Sequence, residues 1–315
     1  PRSTLFPYTT LFRSATSAVV LEQNADTLHA GTLVGGTGSF IQKGGTGTLT
    51  LTDDNAAYQG GFSILGGVIR VGDGGMTGAL GPTAWASVGP SGTLVFDRDG
   101  VVTVGGVLSG TGLIRLDGPG EVYLTASSVF AGTVQVNNGR LTLAPGAALG
   151  SGATVTNAAS VEIETTGTRF QSAMVGALSG EGELVVSGSG TLVLNRENNY
   201  AGVVRVQDGA TLRVSKPVGL GGGADVALEG GTLAILPDVG PGETELVSAL
   251  DQVAWTRNGN ASWVTRYDTQ WAQLTPTRPA RRAVSSATPR SSLRCRGTRR
   301  SAMRWATTRR ARRTA

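Results

Sequence analysis

His29 is the only histidine and Cys295 the only cysteine, so the residue types that most often bind transition metals or act as nucleophiles are almost absent. With no second His and no Cys near it, His29 lacks a zinc partner set and reads as an exposed turn residue. A Ser-His-Asp arrangement would have to use His29, and no Gly-x-Ser-x-Gly elbow presents a serine. The acidic groups Asp53/Asp54 and Asp97/Asp99 suggest Ca2+ at first sight. The Gly-Gly-x-Gly-x-Asp run of calcium-binding rolls is missing, however, which favours solvated turns. Gly221-Gly222-Gly223 lacks the Gly-Lys-Ser/Thr of a phosphate loop. No catalytic, metal or cofactor-binding residue is therefore assigned, and no cofactor is expected. The expected role is non-enzymatic.

The elements that would have to position any site are more legible. A unit of strand-sized pieces recurs three times: Gly38-SFIQKGGTGTLTLTDDNAAYQGGFSILGGVIRV, Leu108-SGTGLIRLDGPGEVYLTASSVFAGTVQVNNGRLTL and Leu178-SGEGELVVSGSGTLVLNRENNYAGVVRVQDGATLRV. The second and third copies align without a gap from Leu108/Leu178 to Gly139/Gly209, an offset of 70. Long internal repeats of this kind build stacked, quasi-one-dimensional folds. Apolar residues alternate through the body, at Leu49/Leu51, Ile69/Val71, Leu94/Phe96, Val122/Leu124, Leu141/Leu143, Val161/Ile163, Leu192/Leu194, Leu212/Val214 and Leu233/Ile235. Alternation puts both members on one side of a short strand and the residue between them on the other. Thr50, Arg70, Thr142, Glu162 and Arg213 occupy the between positions and mostly suit solvent. A second series, Phe62/Ile64, Val134/Val136 and Val204/Val206, interleaves with the first. Equivalent strands recur about every 20 residues, enough to close one turn of a solenoid with two or three strands. The fold class is thus all-β, a right-handed parallel β-helix of about nine or ten coils. A β-sandwich also has many short strands but needs no such repeat.

Leu49, Leu51, Leu192 and Leu194 are expected in the core ladder. Gly38, Gly112 and Gly182 are expected at corners, through positive φ or close packing. Tyr58, Phe130 and Tyr200 hold matching places before a small residue and Gly. They are read as an internal or corner-stacking aromatic ladder, with a carbohydrate platform as the functional alternative.

Composition supports the solenoid and warns about the ends. Gly contributes 48 of 315 residues, about twice the usual share, while aromatics are 5% and apolar residues 39%, as suits a narrow aliphatic core. The net charge of +5 averages two unlike parts. Residues 278–315 contain 13 Arg and no Lys, Asp or Glu; without them 14 basic residues face 22 acidic ones, a net −8. The body is acidic, and a nucleic-acid partner is not expected. Residues 276–315 read as a disordered Arg-rich tail translated out of frame. Leu5–Ser14 (LFPYTTLFRS) resembles a translated sequencing adapter, which makes residues 1–14 non-native. The repeats and their intervening coils fill 15–244, and 245–275 reads as a C-terminal cap or junction. No apolar run is long enough for a membrane-spanning helix.

The repeated residues resemble the passenger-associated transport repeat of bacterial autotransporters, roughly G-x-G-x-L-x-K-x-G-x-G-T-L-x-L-x-G-x-N-x-Y-x-G-G-T-x-I-x-x-G-x-L-x-V. Gly38-SFIQKGGTGTLTL with Asn55-AAYQGGFSILGGVIRVG, and Gly190-TLVLNRENNYAGVVRVQDGATLRV, match it best. The middle copy lacks the Gly-Thr-Leu and the Asn and carries Phe130 for Tyr. The resemblance implies type V secretion, a stalk displayed at the Gram-negative cell surface or secreted, and the chain's own outer-membrane β-barrel translocator as partner. Adhesion to host-surface or glycan ligands is the expected role, and the chain, beginning at Pro1 with no signal peptide and no barrel, reads as a fragment of a longer protein. Absence of cystines suits a chain exported unfolded, and the Asn260-Ala261-Ser262 sequon carries no weight in such a protein. Two alternatives remain: a β-helix acting on polysaccharide, whose groove of acids with Arg or Lys sequence alone does not locate, and a scaffold for an N-terminal catalytic domain.

Overall fold

The computed structural model describes residues 18–207, 209–216, 219–221 and 223–235, with the backbone of the short strands Ser3–Thr4, Thr10–Leu11, Ala254–Asn258 and Ser262–Thr265. The Arg-rich tail and most of 1–14 and 245–275 lie outside the described residues. Strands of one winding pair in parallel with those of the next, and the main path of the largest sheet passes through ten strands. The chain is a parallel β-solenoid of about ten turns. The one described α-helix, Gln171–Met174, is a single turn.

Four ladders run along the rod. The first stacks Ala18–Glu22, Phe40–Gly44, the leading halves of Gly61–Val71 and Trp85–Phe96, and Leu108–Gly110. On the second, Thr27–His29, Thr48–Leu51, the trailing halves of the same two long strands, Leu113–Leu116, Thr133–Val136, Thr154–Asn157 and Leu178–Gly180 follow one another. The third begins at Val101–Val104 and continues through Glu121–Leu124, Arg140–Leu143, Ser160–Thr165, Glu183–Gly188, Val203–Gln207 and Asp225–Glu229 to Ala254–Asn258. The fourth starts at Thr168–Phe170 and passes through Thr191–Leu194, Thr211–Val214 and Thr232–Ile235 to Ser262–Thr265. Two or three ladders serve any one winding. Residues 245–275 thus contribute two strands to the stack.

Inward members form buried columns: Leu49, Ile69, Leu94, Ile114, Val134 and Val155 on the second ladder, Val122, Leu141, Val161, Leu184 and Val204 on the third, and Leu192 and Leu212 on the fourth. Burying each such side chain stabilises the fold by about 1.5–3 kcal/mol. The alternating residues read as one series thus belong to three ladders. The gaps of 28 residues from Leu94 to Val122 and 31 from Val161 to Leu192 are the places where the series steps to the next ladder.

The repeat steps in the same way. In the first copy its strands lie on ladders one and two (Ile41, Leu49, Phe62, Ile69). In the second they lie on ladders two and three (Ile114, Val122, Val134, Leu141), and in the third on ladders three and four (Leu184, Leu192, Val204, Leu212). Seventy residues are three windings plus one side. Each copy is consequently turned by one face relative to its predecessor.

Three outward valines, Val95, Val185 and Val193, are buried although their side chains point away from the core. Arg115, Arg205 and Arg213 stand directly beside them one winding further on. Their aliphatic stems cover the valines, and the heads of Arg115 and Arg205 pair with Asp117 and with Glu183 and Glu229. Thr142, expected to face solvent, is also buried, because its hydroxyl donates to the Glu121 carboxylate at 2.5 Å. Two basic residues occupy inward positions. The Lys43 ammonium donates to the Gly44 carbonyl, and burial lowers its pKa against the opposing pull of Glu22 and Asp26. At the start of the fourth ladder, Arg169 donates to the carbonyls of Leu143, Ala144, Ala147 and Glu164.

Candidate functional site

The residues singled out for chemistry are scattered rather than gathered. His29 is 3% exposed and belongs to a strand, in register with Leu51, so the expectation of an exposed turn residue is overturned. An inward place on a ladder left no other direction for its side chain. Burial lowers its pKa from 6.5, opposed by the charge of Asp53, so the imidazole is held toward its neutral form. Asp53 accepts from Thr32 and from the Asn55 amide, and Asp54 from Gly78 N–H and Arg98. Asp97 faces Arg70 at 3.3 Å, and Asp99 accepts from Gly100 N–H. Gly221 has φ of +80° and packs so closely that a Cβ would lie 2.4 Å from the Tyr200 backbone. The Asn260 sequon and Cys295 lie outside the described residues. Among the described residues, no three His, Cys, Asp or Glu groups are placed to hold a metal ion.

The repeat's own polar residues form a buried constellation that sequence reasoning missed. Asn55 Oδ1 accepts from Leu33 N–H one winding back, while its Nδ2 donates to the Ala79 carbonyl one winding on. Asn198 does the same, accepting from Leu178 N–H and donating to Gly219 O, and it exchanges hydrogen bonds with Gln171. In the middle copy Ser128 Oγ accepts from Leu108 N–H at 2.9 Å, a shorter version of the same clamp. These side chains replace ladder hydrogen bonds where the backbone leaves the sheet.

Tyr58, Phe130 and Tyr200 are buried beside these clamps. They are internal, as expected, but they do not stack: they stand three windings apart and on different sides of the rod, because each copy is turned by one face. Burial overturns the carbohydrate platform at these positions. Tyr58 meets Phe62 edge-on at 5.3 Å and donates to Gly61 O; burial first, against that hydrogen bond, raises its pKa to about 12. Tyr200 donates to Gly182 O and accepts from Asn157. The aromatic-x-Gly spacing has a steric cause. A Cβ on Gly60 or Gly132 would lie 2.6 Å from the Tyr58 or Phe130 ring, and one on Gly202 would lie 1.8 Å from Gly182 O. Gly112 and Gly182 are close-packed in the same manner, a Cβ falling 2.2 Å from Gly89 O and 2.6 Å from Ala159 O. Positive φ belongs instead to Gly110 and Gly180, two residues earlier, and to Gly67, Gly139 and Gly209. Gly38 lies in the turn before Phe40–Gly44.

A family model of the passenger-associated transport repeat matches residues 41–71, 115–143 and 184–214. The chain carries that repeat three times. Passenger-associated transport repeats imply an autotransporter with its own translocator barrel, and secretion or surface display in a Gram-negative bacterium. No curated protein and no solved structure matched the chain.

The exterior gathers acids with Arg along one ladder, a grouping the linear sequence did not locate. Outward residues of the third ladder gather Glu121, Glu162, Glu164, Glu183 and Glu229 with Arg140 and Arg205. Glu162 binds Arg140 at 2.5 Å and Ser187 Oγ at 2.7 Å, while Glu164 accepts from the Tyr123 hydroxyl at 2.9 Å. That hydrogen bond raises the pKa of Tyr123. Arg205 bridges Glu183 and Glu229, and these bonds push its pKa higher still. At the next corner, burial raises the Asp117 pKa, but hydrogen bonds from Arg115 and Asn137 outweigh it and hold the carboxyl below its usual value. Ladder partners lie 19 or more residues apart in sequence, which hid the cluster from a linear reading.

Proposed function

We propose that the chain is the stalk of a surface-exposed or secreted autotransporter passenger, structural and adhesive and without catalysis. Its partners are the outer-membrane barrel and host-surface or glycan ligands. The observation that carries this reading is how the exterior carboxylates of the third ladder are used. Glu121, Glu162, Glu164, Glu183 and Glu229 each bind a neighbour one or two windings away. They brace successive coils, whereas hydrolysis would need an acid and a base facing one substrate. The test is to display the chain from a translocator barrel on a Gram-negative host. Protease shaving should release it from intact cells, and adhesion to a glycan-coated surface should rise with its display. Retention inside the cell would contradict the reading.

A polysaccharide-active enzyme is the second reading, favoured by the same gathering of acids with Arg140 and Arg205. It requires release of reducing ends from polysaccharide by the purified chain, and loss of that release in Glu162→Gln and Glu164→Gln.

A further inference from the structure

The sides of the rod differ in charge. Outward residues of ladders two and three include Arg70, Arg115, Glu121, Arg140, Glu162, Glu183 and Arg205. On ladder one, two adjacent outward columns carry no charge at all. Ala18, Phe40, Gly61 and Trp85 follow one another in register, with Val107 next. Beside them run Val20, Gln42, Ser63, Ser87 and Ser109.

Gly61 sets the posture of Trp85. A Cβ there would lie 1.9, 2.2 and 2.4 Å from Cε2, Cδ2 and Cζ2, so the fused bond of the indole rests over the glycine. The ring lies across the sheet with its other face outward. Phe40, one winding below Gly61, meets it with ring centroids 6.3 Å apart and tilted by 38°. The neighbouring column offers a hydroxyl on each of three windings, about 4.8 Å apart. Among the described residues, Gln42, Ser63, Ser87 and Ser109 use none of their side-chain hydrogen-bonding capacity. Leu65 and Val107 extend the apolar part and are exposed.

A flat aromatic face beside a row of unused hydroxyl and amide groups, with no charge, matches one class of ligand. A sugar ring has an apolar C–H face to lay on the indole and hydroxyls at its rim for the serines. An acidic or basic partner would leave its charges unanswered here, and a wholly apolar one would cover the serines without pairing them. The geometry points to a binding strip for an uncharged oligosaccharide, centred on Trp85 and flanked by Gln42, Ser63 and Ser87. This names a ligand class and site for the adhesive reading and rests on it, but binding by purified protein is independent of display at the surface.

The experiment is calorimetric titration of the purified full chain with neutral glucan, xylan, mannan and N-acetylglucosamine oligosaccharides, alongside a sulfated oligosaccharide. At least one neutral series should bind, and Trp85→Ala should weaken it tenfold or more. Gly61→Ala keeps the tryptophan but drives the indole off the sheet, and it should weaken binding comparably. Trp85→Phe should retain part of the affinity, and Arg115→Ala on the adjoining side should leave it unchanged. Circular dichroism melts establish that each variant is folded. Binding of none of the neutral series overturns the proposal, as does affinity that survives both Trp85→Ala and Gly61→Ala. Selective binding of the sulfated probe also overturns it, as does self-association abolished by Trp85→Ala, which would assign the strip to a second copy.

Discussion

Val122 and Leu192 hold the same place in the repeat, yet Val122 stacks on Leu141 in the third ladder and Leu192 on Leu212 in the fourth. Whatever the repeat encodes therefore concerns neighbouring windings and not a particular side of the rod. Its glycines, aromatics and amide clamps recur wherever a copy falls, while exterior residues are free to differ from side to side.

Leu194 and Arg213 separate inside from outside. Leu194 is 1% exposed, so Leu194→Asp loses an apolar contact and buries an unpaired carboxylate, an expected cost of about 4 kcal/mol or more. Arg213→Ala uncovers the neighbouring Val193 and should cost about 1 kcal/mol. Urea denaturation of both variants checks the difference. Equal costs would contradict the placement.

Asn198 tests the clamp. Asn198→Ala strands Leu178 N–H and Gly219 O in the interior and should cost about 2–4 kcal/mol, with faster hydrogen exchange at the Leu178 amide. An unchanged exchange rate would mean that the amide does not bridge the coils.

Tyr200→Phe removes a hydroxyl that donates to Gly182 O and accepts from Asn157. The middle copy carries Phe130 naturally, so the ring should be the larger contribution. The expected costs are about 1 kcal/mol for Tyr200→Phe and about 3–5 kcal/mol for Tyr200→Ala. Thermal denaturation of the pair gives the ratio.

His29 should make stability pH-dependent. Its folded pKa lies below 6.5, so the unfolded chain takes up the proton first and stability falls as pH drops below about 6.5. His29→Leu should remove that part of the slope. Urea midpoints at pH 7.5 and 5.5 should fall further for the parent chain than for His29→Leu, and identical falls would rule out a neutral buried imidazole.

The windings were legible because each strand writes its inward side as alternating aliphatics, as at Leu141/Leu143. Which side of the rod a strand joins was not, since Leu94 and Val122 carry the same pattern yet stand on ladders two and three. His29 read as an exposed turn residue, and Lys43 and Arg169 are polar by type. They point inward because their strand register requires it, and the heads of Lys43 and Arg169 donate to backbone carbonyls. The candidate strip was illegible for a related reason: Phe40, Gly61 and Trp85 become neighbours only when three windings are superposed.

Disulfide trapping of Arg115→Cys with Gln135→Cys in a Cys295→Ser background tests the stacking most directly. The two residues are in parallel register on successive windings, at a separation a disulfide can span. The expected result is rapid intramolecular crosslinking of this pair, with the hairpin pair Arg115→Cys and Val122→Cys remaining reduced. Crosslinking of the hairpin pair alone would show that the two strands turn back on each other and would contradict the solenoid.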